Sequence, residues 1–134
     1  MTAVVCALII NNGKVLVVQH GPASEHAFRW EFPGGKVGHS ETEEEAIVRE
    51  IREELELSVV PFLKLESVIY RYPGKIIQLI PFLCRAPETR IVLNEHHDFK
   101  WLEPLLISNM DLLEADRLIL ENNENFKQLL HICR

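Results

Sequence analysis

Long apolar runs, paired cysteines and an excess of positive charge are all missing from this sequence of 134 residues. No apolar run approaches the ~20 residues of a membrane-spanning helix, so we expect no membrane association. The apolar stretch 3–10 lacks a basic start and a small-residue cleavage site, so it does not resemble a secretion signal. The three cysteines, Cys6, Cys84 and Cys133, stand alone with no CxxC spacing. Their isolation predicts a cytoplasmic protein without a disulfide framework.

The chain is acidic, because it has 14 Lys and Arg but 20 Asp and Glu, which gives a net charge of −6. A general nucleic-acid binder needs a basic stripe, so we expect no nucleic-acid partner. With only 6 Gly and 7 Pro, the chain has too few of these residues for a long disordered or collagen-like segment. Its length and its 47% hydrophobic content suit one globular domain over residues 1–134.

Apolar alternation and turn signals divide the chain into short strands and single helices. Strands are predicted at 2–11, 14–19, 30–32, 59–70, 76–84 and 99–102, and helices at 42–55, 111–121 and, in the tail, 122–134. Asn12-Gly13 and Tyr72-Pro73-Gly74 are typical of hairpin turns. Hairpins mixed with single helices, rather than regular βαβ alternation, predict an α+β fold in which helices cover a mixed sheet.

Two overlapping capping boxes mark the start of the first predicted helix. Ser40 pairs with Glu43 in one box, and Thr42 pairs with Glu45 in the other. With Thr42 as the N-cap, Glu41 lies in the preceding loop rather than on the helix.

The acidic residues are concentrated in one short segment. Eight of the seventeen Glu lie between positions 41 and 56. On a helix, Glu50, Glu53 and Glu54 share an arc of roughly 100° that borders the apolar stripe. Carboxylates this close repel each other, more strongly near the core, so a cation is expected there unless the arc is simply a solvated acidic face. Oxygen ligands at this spacing suit Mg²⁺ or Mn²⁺, ions that also bind substrate phosphates.

The segment from Gly35 to Leu57 resembles the Nudix box, G-x5-E-x7-R-E-U-x-E-E-x-G-U, where U is aliphatic. Eight of the nine fixed positions match. The preceding Trp-Glu-Phe-Pro-Gly-Gly-Lys, residues 30–36, resembles the MutT-like subgroup of this family. The departure is Glu56, which stands where the family has Gly. Either Glu56 adopts a left-handed conformation, which costs about 1 kcal/mol, or the helix runs one residue further.

The resemblance implies the Nudix fold, an α/β/α sandwich with a mixed sheet flanked by helices, and a set of site residues. The implied ligands of a Mg²⁺ or Mn²⁺ cofactor are the main-chain carbonyl of Gly34 and the carboxylates of Glu41, Glu50, Glu53, Glu54 and Glu95. The implied catalytic residues are Arg49, which orients Glu53, together with Glu50, Glu53 and Glu95. The choice of general base among these acids stays open.

The resemblance also implies substrate-binding residues. His20 stands where MutT-like sequences often carry a phosphate-binding Arg, and Arg29 is a candidate substitute. Lys36 is a further phosphate contact, with an ordinary surface role as the alternative. Asp116 resembles the Asn or Asp that MutT-like enzymes place against the base edge, with a helix-surface acid as the alternative. His96, beside a second His, is interpreted as a surface residue rather than a zinc ligand, because it lacks spaced partners.

The activity implied is Mg²⁺-dependent hydrolysis of a nucleoside triphosphate to a nucleoside monophosphate and pyrophosphate. The favoured substrates are an oxidised purine such as 8-oxo-dGTP, or a cytidine-type triphosphate. Two alternatives remain: hydrolysis of ADP-ribose or dinucleoside polyphosphates, and a nucleotide-sensing domain without catalysis. The partner is a small-molecule nucleotide, and both a monomer and a homodimer are compatible with the sequence.

Overall fold

The computed structural model describes residues 1–134 as an eight-stranded sheet with four helices. The strands are β1 (Thr2–Asn11), β2 (Lys14–Gln19), β3 (Trp30–Glu31), β4 (Gly34–Lys36), β5 (Val60–Lys64), β6 (Val68–Tyr72), β7 (Lys75–Arg85) and β8 (Asp98–Leu102). The helices are α1 (Glu43–Leu55), α2 (Pro104–Ile107), α3 (Glu114–Glu121) and α4 (Asn123–Ile132). None of the helices is long and apolar enough to span a bilayer.

The sheet is mixed, and its centre is a parallel pair. The main strand order is β3-β2-β1-β7-β5, while β4 pairs with β1, β6 with β7 and β8 with β2. Strands β1 and β7 run parallel from Thr2 opposite Ile77 to Ile10 opposite Arg85, and all other pairs are antiparallel. A strand covered on both faces needs an almost continuous apolar run, which is why residues 5–10 are all buried.

Helices cover both faces of this sheet, which confirms the predicted α+β sandwich. Alternate residues of β1 enter two separate cores. On one face, Leu8 belongs to the core that contains Ile119 of α3 and Leu129 of α4. On the other face, Ile9 belongs to the core that contains Ile51 of α1.

The boundaries of α1 follow the sequence signals closely. Thr42 is the N-cap, with Glu45 N–H donating to Thr42 Oγ1 at 3.1 Å and Thr42 N–H donating to Glu45 Oε1 at 2.8 Å. The second candidate box is not used, because Ser40 adopts a left-handed φ of 75°. Glu56 is the C-cap with φ 51°, so the helix ends in a left-handed conformation, the first of the two outcomes expected for this position.

The predicted strand 59–70 is wrong as one element, because tertiary contacts divide it into β5 and β6. The buried side chain of Asn125 accepts from Glu66 N–H at 2.8 Å and donates to Glu66 C=O at 2.9 Å. Because both backbone groups of Glu66 bond to this side chain, Glu66 does not pair with a neighbouring strand. In the same way, Trp30 N–H donates to Asp111 C=O and Trp30 C=O accepts from Leu113 N–H, so α3 begins at Glu114 rather than at 111. The tail forms α4, as the sequence allowed.

Candidate active site

Two glycines bring the main chain against the acidic face of α1. Gly34 and Gly35 in β4 pair with Cys6 and Val5 of β1. A Cβ on Gly34 would lie 2.0 Å from the Val5 carbonyl oxygen, and a Cβ on Gly35 would lie 2.3 Å from the Glu50 carboxyl carbon. Position 34 therefore requires glycine because backbone lies against it, whereas a side chain at position 35 would displace the Glu50 carboxylate from this strand.

Arg49 holds three carboxylates in place. Its guanidinium contacts Glu41 at 2.5 and 3.0 Å, Glu50 at 2.9 Å and Glu53 at 3.3 Å. Glu41 also accepts from Gly38 N–H at 2.6 Å, which fixes the loop before the helix. The contacts with Glu41 and then Glu50 raise the pKa of Arg49, and Arg49 in turn lowers the pKa of Glu41. The contact required for Arg49 to orient Glu53 is thus present.

Glu54 is the buried acid of the helix, and it forms no ion pair. It is only 5% exposed, and its Oε1 is buried without a hydrogen-bond partner. Burial, together with the charges of Glu31, Glu95 and Glu50, raises the pKa of Glu54 to about 10. A buried carboxylate surrounded by other acids is stabilised when a divalent cation binds beside it. The donor set of carboxylates and a nearby carbonyl fits a hard ion such as Mg²⁺ or Mn²⁺.

Glu95 reaches this cluster because its loop is tied to the C-terminal turn of α1. Asn94 N–H donates to Glu54 C=O at 3.0 Å, and Asn94 Nδ2 donates to Glu53 C=O at 2.9 Å. These bonds satisfy carbonyls that the helix end leaves free. The charge of Glu95 contributes to the raised pKa of Glu54, so the two carboxylates lie close enough to interact. We call Glu50, Glu53, Glu54 and Glu95 the carboxylate cluster.

A second group lies nearby that the sequence did not indicate, and we call His20, Glu31 and His96 the histidine cluster. His96 Nε2 lies 2.9 Å from Glu31 Oε2, and His20 Nε2 lies 3.1 Å from the same oxygen. The expectation that His96 is a surface residue is wrong, because its side chain is only 6% exposed. His97 is the exposed member of the pair. No local pattern links His96 to a carboxylate 65 residues away.

Asp116 is buried against the strand that precedes the glycines. It is 5% exposed, and its Oδ2 accepts from Phe32 N–H at 2.8 Å. Burial, followed by the charge of Glu31, raises the pKa of Asp116 well above its usual value. Asp116, Glu31, Phe32 and Tyr72 line a cavity of about 100 Å³, which we call the Asp116 cavity. The alternative of a helix-surface acid is therefore wrong.

The two cationic residues expected to contact phosphate lie in different settings. Arg29 donates to Asp111 at 3.3 Å, to Glu114 at 2.8 Å and to the carbonyl of Leu112. These contacts tie the entry of β3 to the start of α3 and occupy the guanidinium. Lys36 is exposed at the end of β4 and its ammonium group forms no ion pair, so it is the one of the two that is free to bind phosphate.

The family profile described as NUDIX domain matches residues 1–122. The chain belongs to the Nudix family. Among Nudix relatives, the CTP pyrophosphohydrolase of Escherichia coli K12 is 34% identical over 121 residues, which cover 90% of each chain. A protein named putative 8-oxo-dGTP diphosphatase 2 from Mycobacterium tuberculosis H37Rv is 50% identical over 124 residues, 85% of this chain and 82% of that one.

Two solved structures share this fold over more than nine-tenths of the chain. The solution structure of the Escherichia coli ORF135 protein superimposes with a TM-score of 0.81 at 34% identity and covers 96% of this chain and 90% of its own. The crystal structure of the MutT protein from Methanosarcina mazei Go1 gives a TM-score of 0.81 at 26% identity, with 98% and 94% covered. The MutT-like resemblance of the sequence is thereby confirmed.

Proposed function

We propose that this Nudix protein hydrolyses nucleoside triphosphates to nucleoside monophosphate and pyrophosphate, with Mg²⁺ or Mn²⁺ as its cofactor. The observation that carries the proposal is the carboxylate cluster around the buried Glu54, whose Oε1 has no hydrogen-bond partner. An anionic site of this kind holds a polyphosphate only when metal has reversed its charge. Catalysis rather than sensing is favoured because Arg49 and all its acidic partners are present and in contact.

The residues that would hold the metal are the carboxylates and one carbonyl of the site. They are Glu50, Glu53, Glu54 and Glu95 with the Gly34 carbonyl, supported by Glu41. Bound there, a divalent ion neutralises phosphate charge and makes a bound water more acidic. In the reaction, the oxygen of a water molecule bonds to a phosphorus of the α–β anhydride, and the bridging P–O bond breaks to give nucleoside monophosphate and pyrophosphate.

This chain's own residues position the reactants and accept the proton. Arg49 fixes the carboxylate of Glu53 through Nη1, so that its orientation does not depend on the substrate. Glu53 is 55% exposed and Glu95 is also exposed, so both carboxylates are open to the attacking water and able to take its proton. Lys36, with its ammonium unpaired, is the proposed contact for a departing phosphate.

The base is proposed to bind at the Asp116 cavity. Phe32 N–H occupies one oxygen of Asp116, which leaves the other oxygen for an exocyclic amine of the base. Burial raises the pKa of Asp116 and so favours its protonated form, in which the carboxyl group also donates a hydrogen bond. We therefore propose cytidine-type or 8-oxo-guanine nucleotides as substrates, the classes named for the relatives above.

The test is product analysis with Mg²⁺ on 8-oxo-dGTP, dGTP, CTP, dCTP, ADP-ribose and diadenosine tetraphosphate, with Glu53→Gln as the blank. The proposal predicts monophosphate and pyrophosphate from one triphosphate above all others. Turnover of ADP-ribose alone would overturn the substrate class while keeping the family. Nucleotide binding without turnover would overturn the catalytic assignment and favour a sensor.

The three isolated thiols support a cytoplasmic location for this activity.

A further inference from the structure

We propose that His20, Glu31 and His96 form a second cation site, selective for a transition metal such as Zn²⁺ or Co²⁺. The site differs from the carboxylate cluster in its donors, which are two imidazole nitrogens and one carboxylate oxygen. Metal binding at this site goes beyond the proposed hydrolysis, because it does not depend on whether nucleotides are turned over.

The three ligand atoms already converge. One potential ligand atom from each residue lies within 4.8 Å of the other two. Both Nε2 atoms point at the same oxygen of Glu31, from 3.1 Å for His20 and 2.9 Å for His96. Two ligands bound at ~2.1 Å to one tetrahedral ion are ~3.4 Å apart, so the observed spacing needs only small side-chain adjustments.

Backbone hydrogen bonds hold the three residues in this arrangement. Strand β2 pairs with both β3 and β8. His20, which follows β2, therefore lies between Glu31 and the loop before β8. His20 N–H donates to Arg29 C=O at 2.9 Å, and His97 N–H donates to Gln19 C=O at 2.8 Å. His20 is therefore tied to the residue before β3, and the loop that carries His96 is tied to the end of β2, which is what a preformed site needs.

His20 presents its Nε2 to the site. Its Nδ1 lies 3.0 Å from Ser24 Oγ, an outer contact that orients the imidazole ring. Its Nε2 is buried and makes no hydrogen bond, although it lies 3.1 Å from a Glu31 oxygen. A nitrogen lone pair and a carboxylate oxygen at this distance repel each other unless a cation or a proton lies between them.

The donor set also predicts which metal binds. Two imidazoles and one carboxylate match the ligand types preferred by Zn²⁺, whereas Mg²⁺ prefers oxygen ligands and retains water. Mg²⁺ in excess is therefore expected to occupy the carboxylate cluster and leave the histidine cluster open. A bound ion would also neutralise Glu31, which lines the Asp116 cavity.

The direct test is ¹⁵N NMR of the histidine rings in the wild-type protein, with Zn²⁺ added in the presence of excess Mg²⁺. The proposal predicts that the Nε2 signals of His20 and His96 shift at one equivalent of Zn²⁺ while those of His97 do not. Equal shifts at all histidines, or none, would overturn it. This readout needs no substrate and no activity, so it is independent of the proposed function.

Variants provide the second test, in a Glu50→Gln/Glu53→Gln background that removes the main competing ligands. Co²⁺ binding is followed by visible absorption for the background, for His96→Ala and for the matched control His97→Ala. Since loss of even an outer-shell partner costs 10–100-fold, loss of a direct ligand in His96→Ala is predicted to weaken Co²⁺ binding by at least ~10-fold. Equal affinity in the two histidine variants, with native circular dichroism, would show that the cluster holds only protons.

Discussion

Arg49 donates from Nη2 to Glu41 Oε1 at 2.5 Å, and the same side chain contacts Glu50 and Glu53 through Nη1. One guanidinium thus links the loop before α1 to two acids on the helix. Its planar fork suits this arrangement, which a lysine ammonium cannot reproduce.

Arg49→Lys is therefore expected to lower kcat while leaving the fold intact. The lost charge-assisted hydrogen bonds are worth about 1.5–3 kcal/mol each, and about 1.4 kcal/mol corresponds to tenfold in rate, so we expect a loss of roughly 10–100-fold. Steady-state kinetics over a Mg²⁺ titration provide the measurement, with Arg52→Lys, an exposed residue on the same helix, as the control. A kcat equal to that of the wild type would remove Arg49 from the orienting role.

Asp116→Ala is expected to change which base is preferred more than it changes metal dependence. Removing a buried partner leaves polar groups unpaired at about 1–3 kcal/mol, so we expect a shift of roughly 10–100-fold in relative kcat/KM across bases. The measurement compares CTP, dCTP, dGTP and 8-oxo-dGTP, with Glu121→Ala at an exposed position of the same helix as the control. Unaltered ratios would exclude Asp116 from base recognition.

The raised pKa of Glu54 predicts a pH-dependent stability of the metal-free protein. The pKa is about 10 in the folded state against 4.5 as the usual value, because burial and the neighbouring acids disfavour the charged form. The free energy of unfolding should therefore fall as pH rises from about 4.5 towards 10. Glu54→Gln should weaken this dependence, measured by urea unfolding in EDTA, whereas the exposed Glu44→Gln should not.

Addition of Mg²⁺ supplies the complementary readout for Glu54. A cation that binds only the folded state stabilises it by RT ln(1 + [L]/Kd), where [L] is the concentration of the free cation. Mg²⁺ at pH 8 should raise the Tm of the wild type more than that of Glu54→Gln. If the free energy of unfolding in EDTA depended on pH equally in the wild type and in Glu54→Gln, the account of Glu54 would be contradicted.

Glu56→Gly is expected to stabilise the protein without changing activity. Glu56 holds a left-handed φ of 51° at the helix end, a conformation that costs a side chain about 1 kcal/mol and costs Gly almost nothing. Because Glu56 is exposed and lies beyond the acids of the helix, kcat should not change. Denaturant unfolding measures the gain, and a loss of stability would mean that the Glu56 side chain makes a favourable interaction of its own.

Local signals were enough to predict the helix that carries the site. The capping box at Thr42, the apolar stripe through Ile51 and the spacing of Glu50, Glu53 and Glu54 are all encoded within one short segment. Their arrangement depends on helical geometry alone, so the sequence predicted it correctly.

Features that depend on tertiary contacts were not predictable in the same way. The break between β5 and β6 depends on the buried side chain of Asn125, and the late start of α3 depends on the pairing of Trp30 with residues 111–113. The histidine cluster likewise joins His20, Glu31 and His96 from three distant segments. No periodicity or spacing within a single sequence indicates that residues so far apart in the chain come into contact.

The most direct test of the central claim is ³¹P NMR of the products formed with Mg²⁺ by the wild type, by Glu53→Gln and by the exposed control Glu44→Gln. We expect nucleoside monophosphate and pyrophosphate from the wild type and the control. Glu53→Gln, natively folded, should be slower by several orders of magnitude, on the order of 10³-fold or more, because it loses a site carboxylate. Nucleoside diphosphate and orthophosphate as products, or near-normal turnover by Glu53→Gln, would contradict the account.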